Sequence, residues 1–208
     1  MKKIQLFPVE FYTFTCPLDL APYIHLLETS AEPVKHSQNL SYTSNLHTKK
    51  EYEPLFAWFV DCLEQVRMEC QYDCDSISVT SSWANCALAG AAMRQNYHRH
   101  SMSFLSGVFY LTGGVPTIFE DPVIHRTQAQ IEVLRKGWKG PYEVVENEPG
   151  KLVLFPSWMF HSTPPHLDNN DRWIISFNTL PTGAVNYETA TDSVAHITLN
   201  SMEKKRWN

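Results

Sequence analysis

Two short stretches carry side chains that could build a metal centre. The first, NYHRHSMSFLSGVFYL (residues 96–111), sets His98 and His100 two apart, just ahead of a run that alternates like a β-strand. Side chains at i and i+2 of an extended chain project to one face, so these imidazoles could reach one ion together. The same pair also reads as two surface histidines beside a loop. The second stretch, KLVLFPSWMFHSTPPHLDNNDRWIISFN, places His161 at the end of one hydrophobic strand and Arg172 at the start of the next. A hairpin joining the two strands would bring a third imidazole and a guanidinium to one cavity. Arg suits a carboxylate there, because its planar fork donates two parallel hydrogen bonds.

The elements around these stretches fall into three regions of one expected domain, residues 1–208. Residues 1–75 read as mostly helical support. Asp19 to Glu32 forms a short candidate helix with Leu20, Tyr23, Ile24 and Leu27. Lys49 to Glu69 is the stronger one, its apolar stripe running through Leu55, Phe56, Phe59, Val60, Leu63 and Val66. Thr48 and Glu51 are spaced as a capping box. The polar segment between, VKHSQNLSYTSNLH, reads as irregular. Over residues 76–181 the period becomes two: SISVTSSW, SFLSGVFYL, PTIFE, YEVVE, KLVLFP and RWIISFNTL are strands divided by Gly, Pro and Asn. Successive short strands predict a sandwich or barrel-like β core with the N-terminal helices packed on one sheet. A connection between Ile118 and Lys139, containing QAQIEVLRKGW, has little strand character. Residues 182–208 read as a polar, poorly patterned C-terminal extension.

Composition narrows the function classes. The chain has 208 residues, 43% of them hydrophobic, enough for a sizeable core without staples. A net charge of −5 argues against a duplex-binding face, so no nucleic acid partner is expected. No apolar run approaches the roughly 18 residues of a membrane span, and Pro8 and Glu10 break the N-terminal apolar patch, so neither a membrane segment nor a secretory signal is expected. Five irregularly spaced cysteines, Cys16, Cys62, Cys70, Cys74 and Cys86, fit reduced thiols in a cytoplasmic protein. Cys70 and Cys74 offer half a zinc site with no second pair at matching spacing.

The ordered series Trp83-Ala84-Asn85, His98-Arg99-His100, Ser106 through Leu111, Phe119-Glu120-Asp121-Pro122, Leu154 through Trp158 ending in His161, and Arg172 through Asn178 resembles the iron(II)/2-oxoglutarate-dependent oxygenases. It is most similar to their prolyl-hydroxylase-like branch of bacteria and tailed phages. The matches cover about residues 77 to 180; LFPVEFY and TSNLH fit more loosely. The resemblance implies a mainly β fold with flanking helices: a double-stranded β-helix, the cupin-like jelly-roll, with iron at its open end. It implies His98 and His161 as metal ligands, with His100 where the family carries Asp or Glu. It implies Arg172 as the holder of the far carboxylate of 2-oxoglutarate and Tyr110 as a donor to that carboxylate. Asn85 and Trp83 would line the pocket mouth. Iron(II), 2-oxoglutarate and dioxygen follow as cofactor and cosubstrates, and a protein or peptide side chain as the substrate hydroxylated at an unactivated C–H bond. Oligomeric state is not legible.

Alternatives stay open at several positions. If His100 were the first ligand, Met102 would occupy the acid position and the site would have two protein ligands. Asp121 is a ligand or, before Pro122, a turn residue; Glu120 reads as solvated. Ser106-Gly107 reads as a bulge or close backbone approach made for packing. Trp158 reads as a core aromatic or a pocket-rim platform. His125-Arg126 read as a solvated loop or an anion site, and His166 as a surface residue and weak rival for the metal. His25, His36, His47 and His196 have no partner visible in sequence, and Ser81 and Ser82 lack a nucleophile elbow. Two other functions compete: a cupin-type metalloenzyme not using 2-oxoglutarate, and a non-catalytic jelly-roll used for binding or assembly.

Overall fold

A computed structural model describes residues 1–2, 8–30, 33–36, 39–122, 140–190 and 194–199, with the side chains of residues 30, 33–36 and 39–44 left aside. Among these residues two antiparallel sheets face each other. The larger runs β1 (Tyr12–Thr15), β8 (Lys151–Pro156), β5 (Leu105–Tyr110), β10 (Arg172–Val185), β4 (Cys74–Ala87), β3 (Asn39–Ser44), β2 (Pro33–His36), and β11 (Ala195–Ile197) pairs with β10 as well. The smaller runs β7 (Tyr142–Val145), β6 (Thr117–Glu120), β9 (His161–Ser162).

The period of two sorts the apolar residues into two cores. Leu105, Phe109, Leu152, Leu154, Trp173, Ile175 and Phe177 face outward and are buried beneath the helices. Their alternate neighbours Val108, Tyr110, Val153, Phe155 and Ile174 face inward and pack with Phe119 of β6 and with Met159. The Phe119 and Phe155 rings, one from each sheet, meet edge-on at 4.8 Å and seal the closed end of the space between them. Because both faces of β5, β8 and β10 are covered, these strands read as near-continuous apolar runs rather than as clean alternation.

Helix α2 (Glu53–Glu69) covers the outer face. Leu55, Phe56, Phe59, Cys62, Leu63 and Val66 recur at three and four and are buried. The Phe59 ring stacks on Phe177 at 4.9 Å and meets Phe109 edge-on at 5.2 Å, locking the helix to β10 and β5. Burying such a ring stabilises the fold by about 1.5–3 kcal/mol. Val60, on the expected stripe, is 47% exposed; it sits on the rim, and Cys62 takes the buried place.

Several local expectations need correction. Residues 33–36 and 39–44 are not irregular: they form a hairpin that continues the larger sheet beside β4. Pairing to an existing edge supplies the order that their polar sequence does not advertise. The first helix, α1, spans Ala21–Ser30, with Asp19 Oδ1 accepting from the Ala21 amide at 3.1 Å. Thr48 and Glu51 form no capping box. Two short 3-10 turns, Leu46–Thr48 and Lys50–Tyr52, precede α2, which starts at Glu53 with Pro54 in its first turn. Thr48 Oγ1 donates instead to Asn45 O at 2.8 Å. Strand β10 does not stop near Pro181 but runs to Val185 and pairs with β11 through Gly183–Val185. The QAQIEVLRKGW segment and His125-Arg126 lie outside the described residues.

Candidate metal centre

His98 belongs to no long strand. The chain from Ala92 to His98 runs antiparallel beside residues 161–166. The His98 amide donates to His161 O at 3.0 Å and the His161 amide to His98 O at 2.9 Å. Further along, the Thr163 amide donates to Gln95 O at 3.1 Å and the His166 amide to Met93 O at 2.8 Å. This ribbon aligns His98 with His161. The His100 amide then donates to Ser157 O at 3.0 Å, which turns the third imidazole inward. Met102, with φ of 55°, is 85% exposed, so the i+2 partner that reaches the cluster is His98.

One potential ligand atom from each of His98, His100 and His161 lies within 4.8 Å of the other two. Ring centroids are 4.3 Å apart for His98 and His161, 5.1 Å for His98 and His100, and 5.2 Å for His100 and His161. His98 Nδ1 lies 2.7 Å from Asn96 O and His161 Nδ1 lies 3.0 Å from Met159 O. Each Nδ1 donates to its carbonyl and leaves Nε2 with a lone pair, the outer bond that orients metal-binding histidines. Burial, with the neighbouring His98 next in size, pushes His161 down to about 3 and His100 to about 4. Both imidazoles are neutral at pH 7, the form that coordinates a metal. Phe155 and Phe119 wall His161, and Trp83 lies 5.6 Å from the His100 ring.

The cluster opens on a cavity of about 330 Å³. Its far wall is the inner face of the larger sheet. The register of β10 sets Ile174 opposite both Asn85 and Tyr110, and Ser176 opposite both Trp83 and Val108, which puts these residues on one face with Arg172. Arg172 is 4% exposed, and its Nε donates to Val115 O at 3.1 Å. Its Nη2 is buried with no hydrogen-bond partner among the described residues. Burial lowers the guanidinium's pKa from its ordinary range, with the Tyr110 phenol opposing. A buried cation with an unused donor is costly until an anion meets it. Gly114, at φ +137°, makes room: a Cβ there would stand 3.1 Å from Arg172 Cδ.

His161 and Arg172 therefore share a cavity, but not as partners in a hairpin. Strand β9 pairs with β6 in the smaller sheet, whereas β10 pairs with β4 and β5 in the larger, so the two residues face each other from opposite walls. Asn85 and Trp83 line the cavity. Tyr110 is fully buried, its hydroxyl 2.6 Å from Thr117 Oγ1, and Thr117 itself lines the cavity. Thr117, Ser176, Thr163, Arg94, Gln95 and Asn96 also line it and carried no signal in the sequence reading. Ser176, four residues from Arg172, and Thr163, two from His161, were discoverable from the same-face spacing of an extended chain.

Other candidates stay apart. Among the described residues the cluster contains no carboxylate; the Asp121 amide donates to Pro141 O at 2.8 Å, next to the Glu120–Tyr142 pair of β6 and β7. His166 is not at the surface. It is fully buried, with Nε2 2.6 Å from Asn170 O and Nδ1 3.8 Å from Asp168 Oδ2, because the ribbon that carries His161 continues through it. Trp158 is not a core aromatic: it is 48% exposed, since the turn after β8 points it outward. Cys70 Sγ lies 2.8 Å from the Tyr12 hydroxyl, and no Cys belongs to a metal-sized cluster among the described residues. A Cβ on Gly107 would overlap the Phe177 ring, the packing role expected of it. Ser82 is buried against His47, whose Nδ1 lies 2.7 Å from its hydroxyl.

Residues 81–178, the span that holds the three imidazoles and Arg172, match the family model described as "Putative 2OG-Fe(II) oxygenase". This stretch is similar to the 2OG-Fe(II) oxygenases. Solved structures agree in fold. A Pseudomonas putida prolyl-4-hydroxylase is 13% identical with a TM-score of 0.57, covering 84% of this chain and 94% of its own. The viral collagen prolyl hydroxylase of Paramecium Bursaria Chlorella virus-1 is 12% identical with a TM-score of 0.52, covering 81% and 94%. HygX from Streptomyces hygroscopicus, crystallised with nickel and 2-oxoglutarate, is 12% identical with a TM-score of 0.55, covering 84% of each chain. These likenesses establish the double-stranded β-helix. No curated protein matches the chain in sequence. The match implies iron(II) and 2-oxoglutarate, and the residues present fit both. Three convergent imidazoles suit the metal, and an orphaned buried guanidinium nitrogen suits a carboxylate. No helix among the described residues is long and apolar enough to cross a membrane.

Proposed function

We propose that the chain is one oxygenase domain that holds iron(II) with His98, His100 and His161, anchors 2-oxoglutarate on Arg172, and hydroxylates a protein or peptide side chain. The observation that supports this most is the pairing, in one cavity, of three imidazoles within 4.8 Å with a buried cation whose Nη2 is unused. When bound, iron(II) supplies the oxidation: dioxygen converts 2-oxoglutarate to succinate and carbon dioxide, and the second oxygen atom enters a C–H bond. The protein's own part is positioning and exclusion of water. Asn96 O and Met159 O hold two imidazoles in one tautomer. Three neutral ligands leave the metal's two positive charges uncancelled, so the dianionic cosubstrate carries the whole balance. Arg172 fixes its far end, Thr117 and Tyr110 stand beside that guanidinium, and the apolar Val108 and Ile174 keep the wall dry. The five free thiols support a reducing, cytoplasmic setting.

Anaerobic calorimetry tests the reading. Wild type should take up one iron(II) and then one 2-oxoglutarate. His98→Ala and His161→Ala should lose the metal, and Arg172→Ala should keep the metal and lose the cosubstrate. Iron uptake with no metal-dependent 2-oxoglutarate binding would instead favour a cupin-type enzyme, and no iron uptake at all a non-catalytic jelly-roll.

A further inference from the structure

The next step rests on that reading and concerns what the cavity receives. Among the described residues the lining includes two guanidiniums, Arg94 and Arg172, three imidazoles and no carboxylate. Imidazoles ligate metal in their neutral form. Iron(II) and 2-oxoglutarate cancel each other's charge. With both in place the cavity retains the two guanidinium charges and no anion from the protein. Arg172 can be met by the cosubstrate's far carboxylate. Arg94 cannot share it, because its own side chain is exposed at the mouth, whereas Arg172 is buried in the opposite wall. Arg94 has no hydrogen bond or ion pair among the described residues.

The main chain at the same place is open. Ala92, Met93, Gln95 and His98 spend backbone groups on residues 161–166. The Asn96 carbonyl accepts from His98 Nδ1, which leaves the amides of Arg94 and Asn96. Neither amide has a partner among the described residues. Two unpaired amides beside a reactive centre are donors for the carbonyls of an extended guest chain. A lining of Asn85, Gln95, Asn96 and Thr163 supplies polar partners for such a guest.

We propose that the substrate is an extended peptide segment that accepts from the free amides of Arg94 and Asn96 and sets an acidic side chain against Arg94. Arg94 is then a specificity-determining residue, distinct from the groups that hold metal and cosubstrate.

The test uses the full chain loaded with nickel(II) and 2-oxoglutarate, a redox-silent state whose loading calorimetry verifies first. A synthetic random hexapeptide pool is passed over it, and retained peptides are read by mass spectrometry; N-acetylglutamate is titrated in parallel. Wild type should enrich Asp and Glu about tenfold over neutral residues at one position, the size of one charge-assisted hydrogen bond. Arg94→Lys should keep that preference and Arg94→Glu should turn it towards Lys and Arg, a gain that misfolding does not produce. Equal retention of acidic and neutral peptides, an unchanged preference in Arg94→Glu, no retained peptide, or binding of N-acetylglutamate without peptide would each overturn the proposal. A protein that loads nickel and 2-oxoglutarate yet gives one of those results overturns this inference alone. Failure to load overturns the functional reading beneath it.

Discussion

The two walls of the cavity are built on different principles. The wall bearing Arg172 is the centre of a ladder. Strand β10 pairs on one side with β4 from Arg172 onward and on the other with β5 through Ile174–Asn178, and α2 braces the back with Phe59 against Phe177. The wall bearing the imidazoles has a two-residue strand, two isolated bridges and a few main-chain hydrogen bonds between 92–100 and 157–166. The contrast has a physical reason. A buried guanidinium waiting for an anion is a standing electrostatic cost, and only a stiff, many-stranded scaffold holds it in place. A ligand lip can be lightly built, because a bound metal itself ties the segments together.

That contrast can be broken or sharpened by experiment, beginning where the effect is largest. Phe59→Ala removes the ring that joins α2 to the ladder, and urea unfolding should show a loss of about 3–5 kcal/mol. The lip does not contact Phe59, so iron(II) stoichiometry in the folded fraction should stay at wild-type level. Arg172→Ala should cost about 2–5 kcal/mol of 2-oxoglutarate affinity by calorimetry, the range for truncating one partner of a buried, hydrogen-bonded charge pair. If it also removed the metal, the two walls would not be separable. Gly107→Ala forces a methyl into the Phe177 ring, and thermal unfolding should report about 1–3 kcal/mol lost by overpacking the ladder side.

The smallest effect concerns the support rather than either wall. Burial holds the His47 pKa below its ordinary 6.5. The unfolded chain therefore binds the proton more readily than the folded one, so this contribution is complete above about pH 6.5 and fades as the pH falls towards the depressed folded value. Urea midpoints measured between pH 7.5 and 5 should fall with acid, with the buried His100 and His161 contributing in the same direction, and His47→Gln should make that slope shallower without removing it. An unchanged slope would remove His47 as one of its sources.

Much of the candidate site was legible because its residue types are unusual for their places. A His-x-His before a strand, a His after KLVLFP and an Arg opening RWIISFN stand out against apolar runs, and the structure gathers all four around one cavity. What went unread has a common origin. In sequence His166 reads as a surface residue because its Pro-rich loop looks solvated, yet its amide pairs with Met93 and its ring is fully buried. The 33–44 hairpin looked irregular because its polar residues have no apolar period; its order comes from pairing with β4. Arg94 and Asn96 looked ordinary, and only the ribbon beside residues 161–166 brings them to the mouth.

The sequence alone determined the alternation of the strands, the apolar stripe of α2 and the stock of nitrogen donors, since each depends on neighbours within a turn or a pleat. The tertiary structure decided which distant segments lie side by side: 92–98 against 161–166, and Arg172 across from His161 on the opposite sheet. Long-range pairing is selected by shared burial and by main-chain hydrogen bonds that every residue can offer, so it leaves little trace in residue type.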